Sequence, residues 1–199
     1  MSGRQAKLER RTKETQITVS LDLDGEPSQN RFASGLPFFE HMLDAAFRHG
    51  RMALALEAHG DLEIDAHHTL EDCGLALGQA LKSALGDKRG ITRFGAAAVP
   101  LDEALARVVI DLSGRPYLAW RCAFPEENAG GVGVRLFHEF FQAFANAGGV
   151  TLHVDLLAGE ENHHCLEAIF KAFGRALRQA VSLDPALAGE LPSTKGVLE

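Results

Sequence analysis

The residues best suited to chemistry are two matched runs, HHTLE at 67–71 and HHCLE at 163–167, 96 positions apart. Each opens an amphipathic stretch of helical length. On a helix, residues four apart share a face and adjacent residues diverge by about 100°. His67 and Glu71 therefore point together, as do His163 and Glu167, while His68 and His164 point away from their own helix's apolar stripe. Four imidazoles and two carboxylates form an N/O ligand set for a divalent ion, with no thiolate to force zinc. The spacing predicts two metals. One takes His67, Glu71, His163 and Glu167. The second takes His68 and His164, with further ligands from the helices at 38–49 and 135–147, where His41 stands out. Imidazoles turned away from the protomer core meet ligands from a neighbouring subunit, so the ligand arrangement also predicts self-association.

The elements that position these groups repeat as well. HMLDAAFRHG (41–50) matches EFFQAFANAG (139–148), and ETQITVSLDLDG (14–25) matches EALARVVIDLSG (103–114). Three matches in the same order define a duplicated unit of roughly 95 residues. Alternation and turn residues predict, in the first unit, strands at 16–23, near 30–34 and from Met52 to Leu56, a helix at 38–49 stopped by Gly50, and a long helix from His67. The second unit predicts strands at 105–112, 117–124 and 150–157 and helices at 135–147 and 163–181. Residues 86–95 read as a connection, the Gly130, Gly131 and Gly133 run as a flexible loop, and 184–199 as a surface tail. The expected fold is α+β, an internally duplicated unit of mostly antiparallel sheets with helices on one face. Its two halves, 1–92 and 93–199, are related by pseudo-symmetry.

Composition narrows the class. Lys plus Arg is 20 against 27 Asp plus Glu, a net charge of −7, which argues against a nucleic-acid binder. The apolar runs fall far short of the ~20 residues that cross a bilayer, and the N-terminus lacks a signal-peptide core. Three cysteines without CxxC spacing fit a reduced, cytoplasmic setting.

With these motifs assembled, the sequence closely resembles the imidazoleglycerol-phosphate dehydratase family of histidine biosynthesis. The matching segments include RRTKET (10–15), GLPFFEHML (35–43), DAHHTLED (65–72), RFG (93–95), PLDEAL (100–105), DLSGRPY (111–117), NHHCLEAIFKAFGRALRQA (162–180) and PSTKGVL (192–198). The resemblance implies a homo-oligomer of 24 subunits and two manganese ions per active site at subunit contacts. It also implies a lyase reaction in which imidazole glycerol phosphate loses water to give imidazole acetol phosphate. Under it, one metal set resembles His67, Glu71, His163 and Glu167, and the other His41, His68 and His164 plus a histidine before the Phe-Phe pair. Here the chain reads Phe137-His138-Glu139-Phe140-Phe141, and both the repeat and the count favour Glu139 at that ligand position, with His138 as the alternative. The resemblance further implies Glu14 as proton-transfer base, with Glu71 able to shuttle a proton. Glu14, His67 and His163 border the substrate, and Arg93, Arg115, Ser193, Thr194 and Lys195 collect its phosphate. The tail is expected to close as a flap.

The proton lost is not next to a carbonyl, so the imidazole ring is expected to act as electron reservoir, held as an imidazolate by two metals on its nitrogens. Two other readings compete. A metal-activated-water hydrolase would bridge close metals with a shared carboxylate, which separate N/O sets fit less well. A metal-organised shell without activity would leave Glu14 and Arg115 without consequence beyond stability.

Overall fold

The computed structural model describes residues 3–187 and 189–198. The first unit runs β1 (Gln5–Arg11), β2 (Thr15–Asp22), β3 (Arg31–Ala33), α1 (Pro37–Gly50), β4 (Ala53–Gly60) and α2 (His67–Leu85). The second repeats it as β5 (Phe94–Leu101), β6 (Ala104–Asp111), β7 (Tyr117–Arg121), α3 (Arg135–Gly148), β10 (Thr151–Ala158) and α4 (Asn162–Val181). A small hairpin, β8 (Asn128–Ala129) and β9 (Val132–Gly133), is inserted before α3. The sheets have the same order, β1-β2-β4-β3 and β5-β6-β10-β7. In each, the third strand runs parallel to its neighbour and the other pairings are antiparallel.

Period-2 alternation explains the strands. Ile17, Val19 and Leu21 of β2 are at most 1% exposed, and so are their counterparts Ala106, Val108 and Ile110 of β6. Full burial of each large aliphatic side chain is worth about 1.5–3 kcal/mol. The helices supply the facing stripes, Leu70, Cys73, Leu77 and Leu81 on α2 and Leu166, Ile169, Phe170, Phe173 and Leu177 on α4, all buried. α2 covers the first sheet and α4 the second, while α1 packs on α4 and α2 on α3. The layers are therefore sheet, helices, helices, sheet, and one apolar core runs through both units.

The crossings between helices keep the pseudo-symmetry. A Cβ on Gly78 would strike the Phe144 carbonyl, and one on its counterpart Gly174 would strike the Ala46 carbonyl. Both helix pairs thus touch backbone to backbone where no side chain fits.

Four local expectations need correction. β1 and β5 are strands where alternation was too weak to show. Ala6 is the one buried side chain of β1, and β5 is rich in alanine. The strand at 117–124 ends at Arg121. Gly50 closes α1, but Arg51, at φ 50°, makes the left-handed turn. The glycine run is a tight hairpin, with Gly130 and Gly131 at φ 54° and 81°, the positive angles that a two-residue β-turn needs.

Candidate functional site: two imidazole and carboxylate half-sites

α4 is fixed at its start by Glu161, whose carboxylate accepts from the backbone N–H of His163 (2.9 Å) and His164 (3.0 Å). This cap sets His163 on the side facing α1. There His41 Nε2 and His163 Nε2 each lie 3.1 Å from Glu167 Oε2. The ligand atoms of these three side chains lie within 4.8 Å of one another, and no other group among the described residues does the same. Lys171 takes the remaining Glu167 oxygen at 2.6 Å. Partial burial pushes the Glu167 carboxyl up, but Lys171 and His41 outweigh it and hold it at about 2. Two imidazoles, nearly half open to solvent, and a mostly buried carboxylate that is ionised at neutral pH form a donor set that fits a divalent cation.

The pseudo-equivalent half-site lies on α2 and α3. Asp65 accepts from the backbone N–H of His67 at 2.7 Å, and His67 Nε2 sits 3.4 Å from Glu71. His67 shares a cleft of about 980 Å³ with Trp120, Arg135, His138 and Glu139. His138 Nδ1 lies 3.1 Å from Glu139 Oε1, and the Trp120 ring meets the His138 ring edge-on. Both Glu139 and His138 thus face the same cleft.

The two remaining imidazoles are held through Nδ1. His68 Nδ1 lies 3.0 Å from Asp61, and His164 Nδ1 lies 2.8 Å from Glu103. Each carboxylate raises the pKa of its histidine. Glu14 stands just before β2 and contributes to the field at His68. Its segment is tied to α2, since Arg10 and Thr15 both bond Asp72, the residue after Glu71.

The single chain therefore groups His163 and Glu167 with His41, and sets His67 on the same cleft as Glu139. The four-ligand set His67, Glu71, His163, Glu167 and the set His41, His68, His164 are not gathered within one protomer. The phosphate donors lie elsewhere again. Arg93 forks onto Asp111 (2.7 and 3.1 Å) and donates to the Pro192 carbonyl at 2.8 Å. Arg115 lies 3.9 Å from the same Asp111, and Pro192, which Arg93 holds, directly precedes Ser193, Thr194 and Lys195. Asp111 closes β6, while Glu103 precedes it. At about 3.4 Å per residue, the strand separates the arginines from His164 by roughly 25 Å. Asp61, Glu103 and Lys171 escaped the reading of the sequence. The available signals were the alignment of Glu103 with Glu14 in the repeat and the four-residue spacing of Lys171 from Glu167.

A duplicated sheet–helix–helix–sheet chain with a matched imidazole and carboxylate half-site on each unit defines an enzyme class whose site is built from repeated halves. A family model for imidazoleglycerol-phosphate dehydratase matches residues 34–177. The imidazoleglycerol-phosphate dehydratase of Pseudomonas fluorescens is 58% identical over 198 residues, covering 100% of both chains. That of Acidithiobacillus ferrooxidans is 57% identical over 100% of this chain and 99% of its own. The crystal structure of the enzyme from Staphylococcus aureus superposes with a TM-score of 0.81 at 38% identity, over 90% of this chain and 99% of that one. The Pyrococcus furiosus enzyme in complex with (S)-C348 gives 0.82 at 35% identity, over 96% and 100%. The chain belongs to the imidazoleglycerol-phosphate dehydratase family.

Proposed function

We propose that the chain dehydrates imidazole glycerol phosphate to imidazole acetol phosphate on a pair of manganese ions, in sites completed between copies of itself. Family membership gives the reaction class, a carbon–oxygen lyase of histidine biosynthesis. The observation that carries the metal reading is the convergence of His41, His163 and Glu167, whose donor atoms meet on an exposed face. His67, Glu71 and Glu139 are the counterparts of that set by repeat position on the second half-site, and His68 and His164 complete the proposed ligands.

Bound divalent ions supply electron withdrawal, lowering the pKa of the nitrogens of an azole ring. The chain's own groups do the rest. Glu14, exposed and near His68, is placed to take the carbon-bound proton, and Glu71 can relay it. Arg115, Ser193, Thr194 and Lys195 hold the phosphate, while Arg93 anchors the tail through Pro192 and holds Asp111 beside Arg115. A substrate with ring and phosphate a few bonds apart cannot span roughly 25 Å along one strand, so ring and phosphate subsites come from different copies. This supports self-association into the 24-subunit assembly of the family resemblance, and a cytoplasmic setting agrees with three free cysteines. Among the described residues no helix is long and apolar enough to cross a membrane.

The test is an assay of the dehydration after chelation, with and without added manganese. Activity that vanishes on chelation and returns with manganese is expected, and Glu14→Gln should stay inactive with full metal content. Full activity in the chelated protein would refute the metal reading.

A further inference from the structure

Glu14 and Glu103 occupy the same place in the two units. They align in the repeat, each directly precedes the second strand of its sheet, and each lies near the second histidine of its HHxxE helix. The two glutamates nevertheless do different things. Glu103 spends both oxygens. One accepts from His164 Nδ1 at 2.8 Å, and the other accepts from the backbone N–H of Glu160 and Glu161 at 3.4 and 3.2 Å. Among the described residues, the Glu14 carboxylate takes no hydrogen bond, although His68 is close by. In that unit Asp61 has the role, 3.0 Å from His68 Nδ1.

The difference has a local cause. Asp61 directly follows Gly60, which pairs with Thr15, so Asp61 and Glu14 emerge together at one end of the first sheet. The position equivalent to Asp61 is Glu160, since Gly159 is the counterpart of Gly60: a Cβ on Gly60 would strike Thr69 Oγ1, and one on Gly159 would strike Sγ of the equivalent Cys165. Glu160 turns its backbone N–H, rather than its carboxylate, to the site. A bulge in β10 between Leu156 and Ala158 shifts the pairing by one residue, so that Ala158 faces Leu105 rather than Ala104. The turn after β10 then presents its backbone N–H groups to Glu103.

From this geometry we infer a division of labour between the duplicated glutamates. Glu103 and Asp61 are positioning residues that fix the Nδ1–H tautomer of His164 and His68 and aim each Nε2 outward as a metal ligand, and Asp61 thereby leaves Glu14 free for proton transfer. An imidazole whose other nitrogen donates to a carboxylate is a better oriented and more basic ligand, and loss of such a partner typically costs 10–100-fold in metal affinity. The inference rests on the proposed metal site, and the experiment separates the two.

Manganese binding to the whole protein is titrated against a competing chelator, with free ion followed by its electron paramagnetic resonance signal. Glu103→Ala and Asp61→Ala are expected to weaken binding about 10–100-fold. Glu103→Gln and Asp61→Asn keep an amide oxygen to accept from Nδ1–H and should recover most of that loss, which a merely structural role would not predict. Glu14→Gln should bind as the unchanged protein does. If Glu103→Ala fails to fold, the Asp61 pair and Glu103→Gln still decide. Wild-type affinity in folded Asp61→Ala or Glu103→Ala, or equal loss in Glu14→Gln, would overturn the division of labour. Wild-type affinity in His164→Asn and His163→Asn would instead overturn the metal site itself.

Discussion

Lys171→Met tests the electrostatics on which the α1–α4 half-site depends. Glu167 and Lys171 are 15% and 16% exposed, and their charged atoms are 2.6 Å apart, so solvent screens the pair weakly. Burial alone would raise the Glu167 carboxyl, yet Lys171 and His41 bring it from 4.5 to about 2. That fall corresponds to roughly 3 kcal/mol of stability at neutral pH. The sign follows from a folded pKa below the unfolded one. The stabilisation is complete above pH 4.5 and is lost as the pH falls towards 2. Lys171→Met keeps the apolar stem and removes the leading favourable partner, which should cost about 1–2 kcal/mol, since one member of a weakly screened pair is left alone. The assay is urea unfolding of chelator-treated protein at pH 7 and again near the acid end of that window. The gap between the two proteins should be present at pH 7 and shrink in acid. A variant as stable as the parent at pH 7, or a gap independent of pH, would refute the reasoning.

Other substitutions probe the packing that carries the half-sites. Gly174→Ala places a methyl group on the Ala46 carbonyl at the α1–α4 crossing. Overpacking should cost about 1–3 kcal/mol, less the ~1 kcal/mol that alanine returns in helix propensity, and calorimetry should show a lowered Tm; an unchanged Tm would mean the helices part freely. Among the described residues Thr69 Oγ1 is buried without a hydrogen-bond partner, and the equivalent position is Cys165. Thr69→Val should be neutral or stabilising by up to ~1 kcal/mol, and a clear loss in urea unfolding would mean that the hydroxyl is bonded.

Much of this architecture was legible because the duplication keeps its chemistry at fixed offsets. His67, His68 and Glu71 recur as His163, His164 and Glu167 at 96, and His41 and Glu139 share a helix position at 98. The apolar stripes that aim them are period-3.6 patterns that survive tertiary packing. Edge strands were harder, because β1 buries little and its charged outer face masks alternation. The grouping of ligands was harder still. His41 meeting His163 follows from α1 crossing α4, and helix faces alone do not say which helix will lie opposite. Asp61 and Glu103 were silent for the same reason, since each acts across a loop on a residue of another element.

The claim that ring-binding half-sites from separate copies meet in one site is tested most directly by mixing subunits. His67→Ala disables one half-site and His163→Ala the other, and each variant alone should be inactive. Dissociated by chelation, mixed equally and reassembled with manganese, random pairing leaves both halves intact in about a quarter of the sites. Recovery of about a quarter of the unmutated activity is the predicted result. A mixture no more active than its parents would contradict it.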